Sequence, residues 1–359
     1  MIEFPGNIKP ASSEDHIGMQ RCLELAKLGI SQVAPNPMVG AILISKGRII
    51  GEGYHQHYGE AHAEINCLDS VKKEDIGAIS ASTLYVSLEP CVHFGKTPPC
   101  ADAIIARKIP KVVIGCRDPF QAMNGKGIEK LKASGVEVVE GILENECRDL
   151  NRRFFTFVRS NRPYIILKWA QGVDGMMASL DEKRVLISNA FTNRLVHKWR
   201  SEEAALFVGT KTALLDNPEL TVRLWKGRSP VRVVIDRELS LPKTHHLLDQ
   251  KNKTIIFNSK IQREEENLTY YKLAAGKNQL HQIMKALWQM QIQSVLVEGG
   301  AKLLKSFIEE QLWDEARIIS SDTMQIPGGI SAPALGKARF ILEERLQSDT
   351  IRYYRKDVF

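Results

Sequence analysis

Apolar and polar positions along the chain switch repeatedly between the helical and the strand period. Residues 15–30 read as a helix, Val39–Ser45 and Arg48–Tyr54 as a paired strand run, and 61–71 as a second helix. Strand 83–88, helix 99–108, strand 111–116, helix 126–134 and strand 136–140 follow, and one helix from Glu144 to Arg159 closes the series. Such alternation predicts a helix–sheet–helix layered domain. Ser160-Asn161-Arg162-Pro163 is a short polar, proline-containing turn, and the pattern restarts after it. Tyr164–Ala170 reads as a buried strand, followed by helix 190–201 and strands 204–209, 231–235, 253–258 and 269–273. Helix 278–290, strand 294–297, helix 301–311 and further strands beyond Trp313 complete it. With 359 residues the chain exceeds one ordinary domain, so two are expected, 1–159 and 160–359.

Composition narrows the class. Hydrophobic residues make up 43% of the chain, enough for two cores, and no apolar run reaches the length of a membrane span. The first residues lack the basic and apolar blocks of a secretory signal. Cys22, Cys67, Cys116 and Cys147 have no framework spacing and read as free thiols, so a reducing cytoplasm is expected. The net charge of +7 calls for an anionic partner. Its basic residues are spread without a Lys/Arg block, which favours phosphorylated small molecules over nucleic acid.

One cluster carries chemistry directly. His62-Ala63-Glu64 is followed by Glu89-Pro90-Cys91 and, after eight residues, by Cys100. One imidazole and two thiolates are three zinc ligands, leaving the fourth tetrahedral position open for water. Glu64 is then free to move that water's proton, which is the H-x-E…P-C…C logic of zinc deaminases. The spacing departs from the usual P-C-x-x-C. Pro99 opens a helix with Cys100 in its first turn, and Glu60-Ala61-His62 opens another, so two helix starts face the cluster. In the second half, Glu298-Gly299-Gly300 closes a strand and opens a helix, where glycines let the backbone approach a phosphate. No G-x-G-x-x-G accompanies it.

Ala34-Pro35-Asn36-Pro37-Met38-Val39-Gly40, Gly51-Glu52-Gly53-Tyr54-His55, Gly59 to Glu64, and Ser87 to Cys91 with Gly95 to Cys100 resemble the bifunctional deaminase–reductase of riboflavin biosynthesis. Long cysteine spacing is a feature of that family. Leu167-Lys168, Val173-Asp174-Gly175, Gly209 to Thr212, Asp216 to Arg223, Val234-Ile235-Asp236 and Glu298-Gly299-Gly300 resemble its reductase half. The resemblance implies a cytidine-deaminase-like α/β/α domain followed by a dihydrofolate-reductase-like α/β domain. It implies one zinc per chain on His62, Cys91 and Cys100, Glu64 as the catalytic acid–base, and Asn36, His55 and Lys96 at the deaminase substrate. NADPH is placed by it at Thr212, Asp216 and the Gly300–Ser306 turn, which holds Ala301, Lys302 and Leu303. A phosphoribosyl substrate falls at Lys168, Arg200, Leu220, Arg223 and Glu298, where guanidinium groups can grip phosphate. Homodimers or tetramers are further implied. The implied sequence of reactions is hydrolytic deamination of 2,5-diamino-6-(5-phosphoribosylamino)-pyrimidin-4-one, then reduction of its ribosyl group to ribityl. Arg184-Val185-Leu186-Ile187-Ser188 stands where the family commonly has Ser-x-Trp-Ile-Thr, and Phe120-Gln121 where Asn-Pro is common. These departures leave open a deaminase with a degenerate second domain, and the positive charge leaves open a transfer-RNA deaminase.

Overall fold

The computed structural model describes residues 12–94, 98–121, 123–181, 184–276 and 278–356. The chain forms two compact units, one ending at Arg159 and the other starting at Ser160. In the first, α1 (Ser13–Lys27) leads to the hairpin β1 (Gly40–Ser45) and β2 (Arg48–Tyr54), then α2 (Ala63–Asp69) and, after a 3-10 helix at Lys73–Ala81, β3 (Thr83–Leu88). Next come α3 (Cys100–Ala106), β4 (Lys111–Cys116), α4 (Lys126–Ala133), β5 (Glu137–Glu140), α5 (Glu144–Leu150) and α6 (Arg152–Ser160). The sheet order is β2-β1-β3-β4-β5, with β2, β1 and β3 antiparallel and β3, β4 and β5 parallel.

α1 starts in a complete capping box, in which Ser12 accepts the Asp15 N–H and Asp15 accepts the Ser12 N–H. Its buried face of Met19, Cys22, Leu23 and Leu25 packs on the sheet with Leu43, Leu84 and Val86. Two glycines set how closely helices lie on the hairpin. A Cβ at Gly40 would stand 2.0 Å from the Cys22 carbonyl, and one at Gly53 would stand 2.2 Å from the Cys67 nitrogen. Backbone contact of this kind fixes α2, and α2 carries the first functional side chains.

The single helix expected from Glu144 to Arg159 is broken. Asn151 leaves helical geometry, and its side-chain amide pairs with Met38 in both directions at 2.8 Å, accepting the N–H and donating to the carbonyl. A partner 113 residues away overrides the local helical preference.

The second unit comprises β6 (Tyr164–Gln171), β7 (Met176–Ala178), α7 (Ala190–Glu202), β8 (Ala205–Val208), α8 (Thr210–Asp216), β9 (Val231–Ile235) and β10 (Thr254–Asn258). It continues with β11 (Arg263–Glu264), β12 (Leu268–Lys272), α9 (Gln279–Gln289), β13 (Ser294–Val297), α10 (Ala301–Glu309) and β14 (Glu315–Ser321). The last strands are β15 (Ile330–Ser331), β16 (Ala338–Leu346) and β17 (Asp349–Lys356). The main sheet runs β11-β12-β10-β9-β8-β13-β6-β14-β17-β16, parallel from β12 to β14 and antiparallel at both margins. β15 pairs with β7 in a separate ribbon. Both faces of the parallel strands are covered, by α9 and α10 on one side and by α7 and α8 on the other, so their central residues are mostly apolar. The 3-10 turn at 73–81 and the helix α8 had no counterpart in the sequence pattern, since each is short and buries few residues.

Replacing Asn151 by Ala removes the side-chain partner of the Met38 N–H and carbonyl in a part-buried setting. Urea denaturation should show a loss of about 1–3 kcal/mol. An unchanged midpoint would mean that water replaces the amide without penalty.

Candidate active sites

In the first unit, His62 is the N-cap of α2 but makes no side-chain capping bond, so its ring turns elsewhere. Cys91 lies three residues beyond β3, and Cys100 is the first residue of α3 behind the N-cap Pro99. The His62 Nδ1 is 3.6 Å from the Cys91 Sγ and 3.3 Å from the Cys100 Sγ, and the three donor atoms lie within 4.8 Å of one another. Among the described residues this is the one His/Cys/Asp/Glu group with metal-site geometry. The Cys100 N–H donates to the Cys91 Sγ at 3.3 Å. A hydrogen bond from the Cys100 thiol draws the Cys91 thiol down to about 4, against burial and with help from His62, and the same contact pushes Cys100 up. One imidazole nitrogen and two soft sulfurs suit zinc and leave a tetrahedral position open.

Glu64 lies in the first turn of α2, buried, outside the three-donor set. Burial and the Cys91 charge push its carboxyl up to about 7, against the pull of His62. Glu64, His62, Cys91, Asn36 and His55 line one cavity of about 400 Å³. The His55 Nδ1 is 3.0 Å from the Ala61 carbonyl, which can only accept, so Nδ1 carries the proton. Its Nε2 is then the acceptor for the Asn36 amide at 3.0 Å. Burial lowers the His55 pKa, although the Ala61 carbonyl opposes the shift, and the neutral ring stands edge-on to His62 at 5.3 Å. Lys96 lies outside the described residues.

Two carboxylates in this region had no role in the sequence reading, although Glu89 sits in a quoted motif. Glu89 is buried, and its oxygens accept the N–H groups of Asp118 at 3.2 Å, Gly125 at 3.0 Å and Gly127 at 2.9 Å. It therefore ties the loop before α4 beneath the cavity. Asp118 lines the cavity itself. Burial raises its carboxyl to about 6, opposed by the Phe120 N–H and aided by the nearby Glu89.

In the second unit, Arg200 from α7 grips Glu298, just past β13, with Nε–Oε1 2.7 Å and Nη2–Oε2 2.6 Å. The phosphate grip expected of Arg200 is thus taken by a carboxylate, and its Nη1 reaches only the Thr221 carbonyl at 3.4 Å. Lys168 on β6 joins this pair electrostatically: burial lowers its pKa while Glu298 supports its charge. Burial pushes the Glu298 carboxyl up, yet Arg200 and Lys168 outweigh it and bring it down to about 2. Leu220 is buried with a left-handed backbone, and it leads into Arg223, whose exposed guanidinium contacts Glu219 and Thr221 through Nη1. His197 went unnoticed in the sequence. Buried on α7, it accepts the Arg223 N–H on Nδ1 at 3.0 Å, and burial with the neighbouring arginines lowers its pKa to about 4.

A separate cavity of about 840 Å³ opens at the carboxyl ends of β8, β9 and β13. Thr212, Gly300, Lys302 and Leu303 line it, whereas Asp216 and Ala301 do not. Burial raises the Asp216 carboxyl at the end of α8, and the charge of Arg184 opposes this. Gly300 has φ +67°, a left-handed backbone that favours glycine, and a Cβ there would stand 3.1 Å from the Thr212 Oγ1. None of Lys168, Arg200, Leu220, Arg223 and Glu298 lines this cavity. Glu298 is nevertheless the residue before Gly299-Gly300, which joins the charged cluster to the cavity wall.

Removing one partner of the Arg200–Glu298 pair strands a buried charge, at a cost of about 3–5 kcal/mol. Glu298→Gln should therefore lower the stability of this unit at pH 7. Because the Glu298 pKa is depressed, its contribution is complete above the ordinary carboxylate value of 4.5 and is lost as pH falls toward about 2. Urea midpoints of the two proteins should converge over that window; a gap independent of pH would contradict the assignment.

Comparison with known proteins gives the same division. Residues 12–116 match the cytidine and deoxycytidylate deaminase zinc-binding region, and residues 163–324 match the RibD C-terminal domain. The riboflavin biosynthesis protein RibD of Aquifex aeolicus is 38% identical over 94% of this chain and 97% of its own length. The Escherichia coli protein of the same name is 33% identical over 84% and 86%. Among solved structures, the diaminohydroxyphosphoribosylaminopyrimidine deaminase/5-amino-6-(5-phosphoribosylamino)uracil reductase of Thermotoga maritima superposes with a TM-score of 0.84. It is 36% identical, with 95% of this chain and 98% of that one covered. RibD of Acinetobacter baumannii gives 0.86 at 30% identity, covering 95% and 98%.

Proposed function

The chain belongs to the RibD family of bifunctional riboflavin-biosynthesis deaminase–reductases, and from that premise we propose how its residues divide the two reactions. It deaminates 2,5-diamino-6-(5-phosphoribosylamino)-pyrimidin-4-one with zinc and reduces the product's ribosyl group to ribityl with NADPH. The observation that carries the assignment of residues is the meeting of His62 Nδ1, Cys91 Sγ and Cys100 Sγ beside a cavity that His62, Cys91 and Glu64 line together.

His62, Cys91 and Cys100 are the zinc ligands in this reading. When bound, zinc supplies the Lewis acidity that makes water nucleophilic at neutral pH. Glu64 removes a proton from the attacking water as the oxygen bonds to the amine-bearing ring carbon. The same carboxyl then delivers a proton to the departing amine, and ammonia leaves. Asn36, held by the neutral His55, orients the pyrimidine, and Lys96 acts with them on the substrate. Asp118 and Glu89 shape the opposite wall and its support.

In the second unit, Thr212, Gly300, Lys302 and Leu303 hold NADPH, with Ala301 and Asp216 at the edges of that site. The N–H groups that open α10 would be available to the pyrophosphate of the bound cofactor. When bound, NADPH would supply hydride to ribose C1′, with the C1′–O4′ bond breaking and a proton passing to the ring oxygen. Lys168 and Glu298, charged and adjacent, serve proton movement and placement at that carbon, and the buried Arg200 keeps Glu298 ionised. Arg223 and Leu220 form the phosphoribosyl side, with His197 fixing the Arg223 backbone.

Among the described residues no helix is long and apolar enough to cross a membrane. The proposal further places the enzyme in the cytoplasm as a homodimer or tetramer, without a nucleic-acid partner; cell fractionation and sedimentation equilibrium test this.

Glu64→Gln should reduce ammonia release by roughly two to four orders of magnitude while the protein keeps one zinc per chain. Loss of zinc from that variant would make Glu64 a ligand instead. In a staged assay, the zinc-loaded protein should release ammonia before NADPH is added, and oxidise NADPH only afterwards. Failure of the first stage would overturn the deaminase assignment; failure of the second alone would overturn the reductase assignment.

A further inference from the structure

Asn36 stands in the wall of the first cavity on a stretch of chain that has no ladder of its own. Residues 36–39 lie just before β1 and belong to no helix or strand, so their backbone groups need individual partners. The Asn36 N–H donates to the Val33 carbonyl at 2.8 Å, and the Val39 carbonyl accepts the His55 N–H at 2.9 Å. Pro37 has no N–H to place. Between these points both backbone groups of Met38 go to one side chain, that of Asn151, at 2.8 Å each. The stretch is thus pinned at its middle by a residue from the far end of the unit.

Asn151 is itself held at both sides. It is 2% exposed, its N–H donates to the Cys147 carbonyl at 3.3 Å, and its carbonyl accepts the Phe155 N–H at 2.9 Å. It therefore closes α5 and opens α6, which leaves its amide little room to swing. Two directional bonds from one planar group fix Met38 in tilt as well as in distance. Yet Asn151 does not line the cavity, whereas Asn36, Pro37 and Val39 do. Phe154 and Val158, on the helix that Asn151 opens, line it too. The Asn36 side chain donates from Nδ2 to the His55 Nε2 at 3.0 Å, and its Oδ1 accepts no hydrogen bond among the described residues. That oxygen is the group a substrate N–H can reach, and its place depends on the backbone that Asn151 clamps.

We propose that Asn151 is a positioning residue for the deamination: by clamping Met38 from behind the cavity wall, it sets where the Asn36 amide meets the pyrimidine. This rests on the reading of Asn36 as a pyrimidine contact. Asn151 touches no substrate and moves no proton. Its contribution is orientation, which is lost when a contact shifts by about 1 Å.

The test is a double-mutant cycle on ammonia release by the full, zinc-loaded chain, at a temperature where circular dichroism shows every variant folded. Asn36→Ala should lower kcat/KM about 100-fold and Asn151→Ala about 10-fold, each with one zinc per chain retained. In the double variant the Asn151 change should cost no more than about twofold beyond Asn36→Ala, because residues acting through one contact do not add. Asn151→Asp keeps an acceptor for the Met38 N–H and should recover part of the loss. Reduction of the separately supplied deaminated product should stay within about twofold throughout. Losses that multiply in the double variant, an unchanged kcat/KM in Asn151→Ala, or a parallel loss of reduction would each overturn the proposal. If Asn151→Ala does not fold, Asn151→Asp takes its place in the cycle and the same outcomes decide. No ammonia from the unaltered protein would instead overturn the deaminase reading, and full activity in Asn36→Ala would overturn the reading of Asn36; the proposal falls with either.

Discussion

Glu89 is the first residue past β3, the central strand of its sheet, antiparallel to β1 and parallel to β4, and it brings a carboxylate into the interior. Such a group is tolerated only if hydrogen-bond donors replace water, and the loop from Asp118 to Gly127 supplies three of them. The bonds act in both directions. They satisfy the carboxylate, and they hold the loop against the strand end from which Pro90 and Cys91 depart. The position of one cysteine of the cluster and the cavity wall around Asp118 thus share a single anchor.

The second unit uses the same device twice. Glu298 follows β13 immediately and Asp236 follows β9, again at the carboxyl ends of parallel strands. Only the donors differ: the Arg200 guanidinium for Glu298, with the Lys168 charge acting on it electrostatically, and backbone N–H groups and a hydroxyl for Asp236. The choice of donor sets what the carboxylate can still do. Backbone donors make Asp236 a fixed part of a turn. Charged side-chain donors leave Glu298 ionised and surrounded by groups that carry protons or charge, which suits a place where bonds are remade.

Much of this was readable from the sequence, for identifiable reasons. Strands β3, β4, β9 and β13 begin and end where the apolar runs do, because each is buried on both faces and short. His62, Glu64, Cys91 and Cys100 were legible because metal chemistry demands particular residue types at restricted spacing. The failures have a common cause. The break at Asn151 depends on Met38, the role of Glu89 on amides about thirty residues onward, and that of His197 on the backbone of Arg223. Such partnerships leave no local periodicity. Arg200 shows the complementary limit: its residue type suits phosphate, but only its neighbourhood reveals a carboxylate already in its grasp.

The last two helices of the first unit are more than a tail. Asn151 latches the segment that carries Asn36, and Phe154 and Val158 on α6 stand in the wall of the cavity that holds Glu64. The chamber is closed by residues that a ribosome delivers last within that half. During synthesis, then, the metal-binding side chains emerge well before the wall that shields them, so a nascent or shortened deaminase half presents an open, solvent-filled cleft until residue 158 is in place.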